Sequence, residues 1–156
     1  MLFRSMASSH IPGVSIAVIH EGRIEWAQGF GVASVGGPLV TADTLFQAGS
    51  ISKPVAAMSA LHLVQMGKLD LDSNVNTVLT SWKIPTSAVA AGKPVTLREL
   101  LTHTAGLSVH GFPGYGADSD VPSLVQVLNG QKPANTAPIV LETAPGAVWR
   151  DRKSVV

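Results

Sequence analysis

In the segment Gly49-Ser50-Ile51-Ser52-Lys53-Pro54, a serine and a lysine stand three residues apart at the start of a long apolar stretch. Residues three apart on a helix share a face, with Cβ atoms about 5–6 Å from each other. A serine hydroxyl is a poor nucleophile until a neighbouring base takes its proton. An uncharged lysine is such a base. Burial disfavours the ammonium form, and the positive end of a helix dipole acts in the same direction. No carboxylate occurs within four residues of Lys53 to oppose this. A helix start also directs unpaired backbone N–H groups, that of Ser50 included, at an oxyanion formed by attack on a carbonyl. The segment therefore combines a candidate nucleophile, Ser50, a candidate base, Lys53, and part of an oxyanion hole.

Spacing alone does not decide. Fifteen serines and six lysines in 156 residues give about 0.6 such pairs by chance. In the plainer alternative, Ser50 or Ser52 is a helix N-cap and Lys53 a solvated first-turn side chain. The surrounding landmarks weigh against it. In order, they are Ile11-Pro12-Gly13-Val14, Asp43-Thr44-Leu45-Phe46, Gly67-Lys68-Leu69-Asp70-Leu71-Asp72, Leu100-Leu101-Thr102-His103-Thr104-Ala105-Gly106-Leu107 and Ala144-Pro145-Gly146. With Ser50 and Lys53 in place among them, the chain resembles the serine β-lactamase and penicillin-binding-protein superfamily. The likeness is to its class C-like branch, which includes the family VIII carboxylesterases, and runs from about Ile11 to Arg150.

The resemblance implies an α/β fold of the α+β kind, β-lactamase/transpeptidase-like, and a serine hydrolase working through an acyl-enzyme. Ser50 matches the acylated nucleophile and Lys53 its partner base. His110, which follows the Thr-Ala-Gly segment, is the nearest positional match for a cleft-lining, substrate-binding side chain; plain loop packing is the alternative. The implied substrate is a small ester or amide, including a β-lactam or D-amino acid peptide, with no metal or organic cofactor. A different class of function is a non-catalytic, penicillin-binding-like sensor or peptide-binding module that keeps the serine as a relic.

The likeness stops at Arg150. Similar proteins carry a tyrosine, with an asparagine or small residue two places on, soon after the Pro-Gly segment, and later a Lys/His-Thr/Ser-Gly triplet. Here Asp151-Arg152-Lys153-Ser154-Val155-Val156 follows instead. That tail is expected to be non-native, of the kind a sequencing adapter read in one frame encodes. The chain is then an N-terminal fragment without its C-terminal strands, inactive by itself and prone to aggregate. Three segments are expected: 1–47, a helix stub and β-hairpin; 48–150, the nucleophile helix and helical region; and 151–156, the tail.

The elements that must position the pair are legible in the apolar pattern. Residues 2–10 read as a helix stub ended by Pro12-Gly13. Val14, Ile16 and Val18 alternate in a strand, Glu21-Gly22 makes a turn, and Ile24, Trp26, Gln28 and Phe30 alternate in a second strand. Ser50 to about Met66 reads as a helix with Pro54 in its first turn and Gly67 as its stop. It has scarcely a polar face, so it is expected to be buried nearly all round. A turn and short helix are expected over 70–78. The capping box Thr96-Leu97-Arg98-Glu99 opens a helix ending near His103. A Gly- and Pro-rich loop fills 108–122, and a short helix runs from Ser123 to Leu128.

Composition excludes several functions. Apolar residues make up 46% and charged residues 13%, too hydrophobic for disorder. Eleven basic and ten acidic residues, with no run of either sign, argue against a nucleic-acid partner. Cysteine is absent, which excludes disulfides and thiolate metal sites, and the five histidines show no metal-ligand spacing. No apolar run approaches the roughly 20 residues of a membrane span. No signal peptide is read at the N-terminus, and compartment and oligomeric state are left open.

Overall fold

The computed structural model describes residues 2–109 and 111–150. His110 and the tail 151–156 lie outside the described residues. The chain divides after Ala48 into two compact units.

The first unit is built on a helix and a hairpin. Helix α1 spans Leu2–Ser8 and ends ahead of Pro12. Strands β1 (Gly13–His20) and β2 (Arg23–Gly31) pair antiparallel across the two-residue loop Glu21-Gly22. Both loop residues have positive φ, 47° and 74°. That is the mirror-image turn whose twist matches the twist of the flanking strands.

The register corrects one expectation. Val18 pairs with Trp26 but Ile19 pairs with Ile24, so Glu25 is an extra residue in β2. Directly opposed residues share a face. Trp26, Gln28 and Phe30 therefore lie with Val18, Ile16 and Val14, while the bulge turns Ile24 to the other face beside Ile19. Those two isoleucines are 68% and 67% exposed. Beyond β2, Val32 bridges Leu39, and the Val40 amide donates to the Gly31 carbonyl at 3.0 Å, which buries Val40 beside the hairpin. The sheet has two strands among the described residues, so each strand offers an unpaired edge.

The second unit holds the helices. A 3-10 turn at Gly49–Ile51 leads into α2 (Ser52–Gln65). α2 ends where expected: the Gly67 amide bonds the Val64 carbonyl at 2.9 Å and the Lys68 amide bonds the Leu63 carbonyl at 2.9 Å, a Schellman closure. The 70–78 region forms a 3-10 turn at Val75–Thr77, and a further 3-10 turn lies at Ala88–Ala90.

Helix α3 (Leu97–Leu101) carries the expected capping box. The Glu99 amide donates to the Thr96 hydroxyl at 3.3 Å, and the Thr96 amide donates to Glu99 Oε2 at 2.8 Å. Helix α4 (Leu124–Asn129) has a second capping box, between Ser123 and Gln126.

A buried cluster of Val75, Ile84, Val95, Ala105 and Leu141 holds this unit together, with Leu79, Trp82, Leu97, Leu100 and Leu107 packed against it. Polar clamps fix the chain around that cluster. Asn76 Nδ2 donates to the Ile84 carbonyl at 2.9 Å while the Ile84 amide donates back to Asn76 Oδ1 at 2.8 Å, so one side chain imitates a strand partner. Two strands followed by helices and turns make the architecture α+β.

α2 departs from expectation. None of its residues is buried, and Met58 is 71% exposed. Only Ala57, Ala60 and Val64, at helical spacing, form a half-buried seam. The cause lies in where the core sits. The buried cluster draws on residues 75–141 and takes nothing from α2, whose closest neighbouring element is the 3-10 turn that precedes it.

Candidate functional site

The Ser50–Lys53 segment forms at a junction of two helix types. Gly49 has φ of +52°, a conformation that side chains rarely adopt, and it turns the chain into the 3-10 turn that carries Ser50. Side chains three apart eclipse in a 3-10 turn. Lys53 follows as the second residue of α2, and Pro54 sits in the first turn, where its missing N–H breaks no intrahelical bond.

The cap position belongs to neither serine. Ile51 is the N-cap of α2 and makes no side-chain cap bond. The first turn of α2 contains no acidic residue. The junction thus keeps the elements the chemistry asks for: a hydroxyl, an amine one turn on, and a helix start with outward-facing N–H groups.

The dry setting expected for the pair is not found in this chain. Ser50 and Lys53 are both exposed, as are Ile51 and Val55 beside them. The reason is the uncovered α2 described above.

The Thr102–Leu107 segment is held much more firmly. Its carbonyls accept from the segment that follows α4: Gly146 N–H to Thr104 O at 2.8 Å, Arg150 N–H to His103 O at 2.9 Å, and Glu142 N–H to Gly106 O at 2.8 Å. Leu107 bridges Leu141, and Arg150 Nη1 donates to Glu142 Oε2 at 2.9 Å. Gly106 allows this approach, since a Cβ there would stand 2.3 Å from the Thr143 carbonyl oxygen. Leu100, His103, Ala105, Gly106, Leu107 and Arg150 line a small cavity of 140 Å³.

At the far end of α2, Arg98 grips Asp72 with Nε to Oδ1 at 2.7 Å and Nη2 to Oδ2 at 2.8 Å. The donating Arg98 guanidinium holds the Asp72 carboxyl below the usual carboxylate range. This pair borders an open depression of about 610 Å³. At a rise of roughly 1.5 Å per residue, the length of α2, about 20 Å, separates it from Ser50. No group of three or more His, Cys, Asp or Glu side chains suited to a metal ion occurs among the described residues. None of their helices is long and apolar enough to cross a membrane.

Sequence reasoning missed the Asp72–Arg98 pair and the wrap of 139–150 over 103–108. The signal for the first lay 26 residues apart and that for the second more than 30, beyond any local pattern. The Ser123-x-x-Gln126 box was readable and carried the same signature as Thr96-x-x-Glu99.

Comparison with known proteins settles the family. A sequence profile described as Beta-lactamase matches residues 2–150. The chain belongs to this family. Penicillin-binding protein 4 of Amycolatopsis lactamdurans is 39% identical over 101 residues, covering 64% of this chain and 26% of its own. Esterase EstB of Burkholderia gladioli is 30% identical over 155 residues, covering 94% of this chain and 39% of its own. Among solved structures, the octameric penicillin-binding protein homologue from Pyrococcus abyssi superposes with a TM-score of 0.64 at 29% identity, over 88% of this chain and 32% of that one. These findings bear out the superfamily resemblance and the β-lactamase/penicillin-binding-protein-like α+β fold; the chain spans 26% and 39% of the length of these two curated relatives.

Proposed function

We propose that Ser50 is the acylating nucleophile and Lys53 its general base in a serine hydrolase acting on ester or amide bonds. Lys53 Nζ takes the hydroxyl proton as Ser50 Oγ bonds the substrate carbonyl carbon. The same proton passes to the departing alcohol or amine as the carbonyl carbon–heteroatom bond breaks. Water then attacks the acyl-serine and releases a carboxylic acid. Backbone N–H groups at the start of α2 stabilise the oxyanion in both steps.

The observation that carries this reading is the Gly49–Lys53 junction at a helix start, inside a chain of the Beta-lactamase family. Among substrate classes, an ester is favoured over a β-lactam, because the esterase is alike across 94% of this chain. His110 is proposed as a cleft-lining, substrate-binding side chain. The 156-residue chain alone, with its serine and lysine in water, has negligible turnover.

The test is a fusion of residues 1–150 to the part of esterase EstB that follows its counterpart of Arg150, exposed to a fluorophosphonate. Covalent mass on the Ser50 peptide, lost in Ser50→Ala, is the expected result. A second reading, a non-catalytic ligand-binding relative, draws on the exposure of the pair. It requires reversible binding of penicillin or peptide with no adduct.

A further inference from the structure

α2 carries Lys53 in its first turn, yet the buried cluster of the second unit takes nothing from it. Its half-buried seam, Ala57, Ala60 and Val64, offers apolar contact, and apolar attraction is non-directional. A fixed helix direction needs directional bonds, and the exit of α2 supplies them. There the chain turns on Asp70, whose Oδ1 accepts from the Asp72 amide at 2.7 Å, and meets α3. Arg98 holds it from backbone and side chain together: its amide donates to the Leu71 carbonyl at 2.8 Å, and its guanidinium forks onto both carboxylate oxygens of Asp72. The chain then enters the core, where the Val75 amide donates to the Val95 carbonyl at 3.0 Å. We propose that Asp72 and Arg98 are positioning residues for the acylation site, setting the direction of α2 and through it the place of Ser50 and Lys53.

Two features suit the pair to this role. The Arg98 and Asp72 side chains are 55% and 65% exposed, and an ion pair in water adds modest stability, whereas the parallel N–H···O bonds of a guanidinium–carboxylate fork add fixed geometry. Leverage is the second. With α2 about 20 Å long, a rotation of about 3° at its exit carries Ser50 about 1 Å, a displacement of the size that slows a positioned reaction about 10²-fold. The catalytic consequence rests on the assignment of Ser50 and Lys53 to acylation; the direction of the helix does not.

The sequence contains no cysteine, so Met58→Cys on α2 and Leu124→Cys on α4, both at exposed sites, place one dye pair for energy transfer within single molecules of the full 156-residue chain. α4 serves as the reference because Asn129 Oδ1 accepts from Trp82 Nε1 at 2.9 Å, and Trp82 packs on the core. One narrow transfer distribution is expected with the pair intact. A broadened or displaced one is expected in Arg98→Lys, which keeps the charge and the backbone bond but loses the fork. Exchanging the partners, Asp72→Arg with Arg98→Asp, should restore the narrow distribution. In the fusion to the esterase remainder, Arg98→Lys should lower the limiting rate of Ser50 labelling at least about tenfold with the half-saturating fluorophosphonate concentration unchanged, and the exchanged pair should recover it. An unaltered distribution or an unaltered limiting rate in Arg98→Lys overturns the proposal, as does failure of the exchanged pair, folded by circular dichroism, to recover either. A parent fusion that takes no label sinks the nucleophile assignment and the catalytic consequence with it, while the transfer distributions decide on the direction of α2.

Discussion

At the scale of single residues, the balance between hydroxyl and amine is set by their surroundings. Ser50 and Lys53 stand three residues apart at the start of α2 and both are exposed, so burial does not supply, in this chain, the activation that the proposed acylation site asks for. In the fusion to the esterase remainder, Lys53→Ala should lower the labelling rate by about 10²–10⁴-fold, the range for loss of a positioned general base, while Ser50→Ala removes labelling altogether. An unchanged rate in Lys53→Ala excludes the lysine as base.

Asp72 offers a test by pH. Its carboxyl is lowered by the bond from Arg98, so its contribution to stability is present above the ordinary carboxylate range and disappears as acid titrates the folded-state group. Asp72→Asn should therefore destabilise the second unit at pH 7 and match the parent only in acid strong enough to protonate the folded-state carboxyl, below its lowered range. A denaturation midpoint difference that persists there contradicts the assignment. Residue types and spacing made Ser50 and Lys53 legible from the sequence; their exposure was not legible, because burial depends on what covers a helix.

Elements followed local rules where local chemistry decides. Thr96 caps α3 through the Glu99 amide, and Thr96→Ala should cost about 1 kcal/mol in chemical denaturation. Gly67 closes α2, and the Glu21-Gly22 turn sets the hairpin. The turn of α3 and the start of α2 were readable because caps and turns involve residues three or four apart. Ile24 was misplaced because a bulge at Glu25 shifts every later side chain to the opposite face, and no composition signal marks an extra residue. Leu141 belongs to a contact set assembled from residues as far back as Val75, 66 positions earlier in the sequence. Leu141→Ala should cost roughly 2–5 kcal/mol, the span for emptying a buried aliphatic site. A loss under half a kilocalorie per mole would place Leu141 outside the core.

At the scale of the whole molecule, the second unit has a buried cluster that takes nothing from α2 and leaves that helix without a buried residue. Its buried cluster is small, and the apolar share of the sequence, 46%, exceeds what that cluster encloses. The high hydrophobicity pointed to helices in need of burial, and the need is real: the α2 surface is there, and its cover is not among the described residues. Alone in solution the chain should bind a hydrophobic dye strongly and associate into open-ended aggregates as concentration rises. A cooperative melt from a monodisperse monomer is the opposite outcome.

Peptide-resolved mass spectrometry of the fused protein after fluorophosphonate treatment tests the central claim most directly. The account predicts one adduct, on Ser50, abolished by Ser50→Ala and slowed by Lys53→Ala. An unmodified Ser50 in a folded fusion with α2 protected from exchange, or an adduct on another serine, would contradict it.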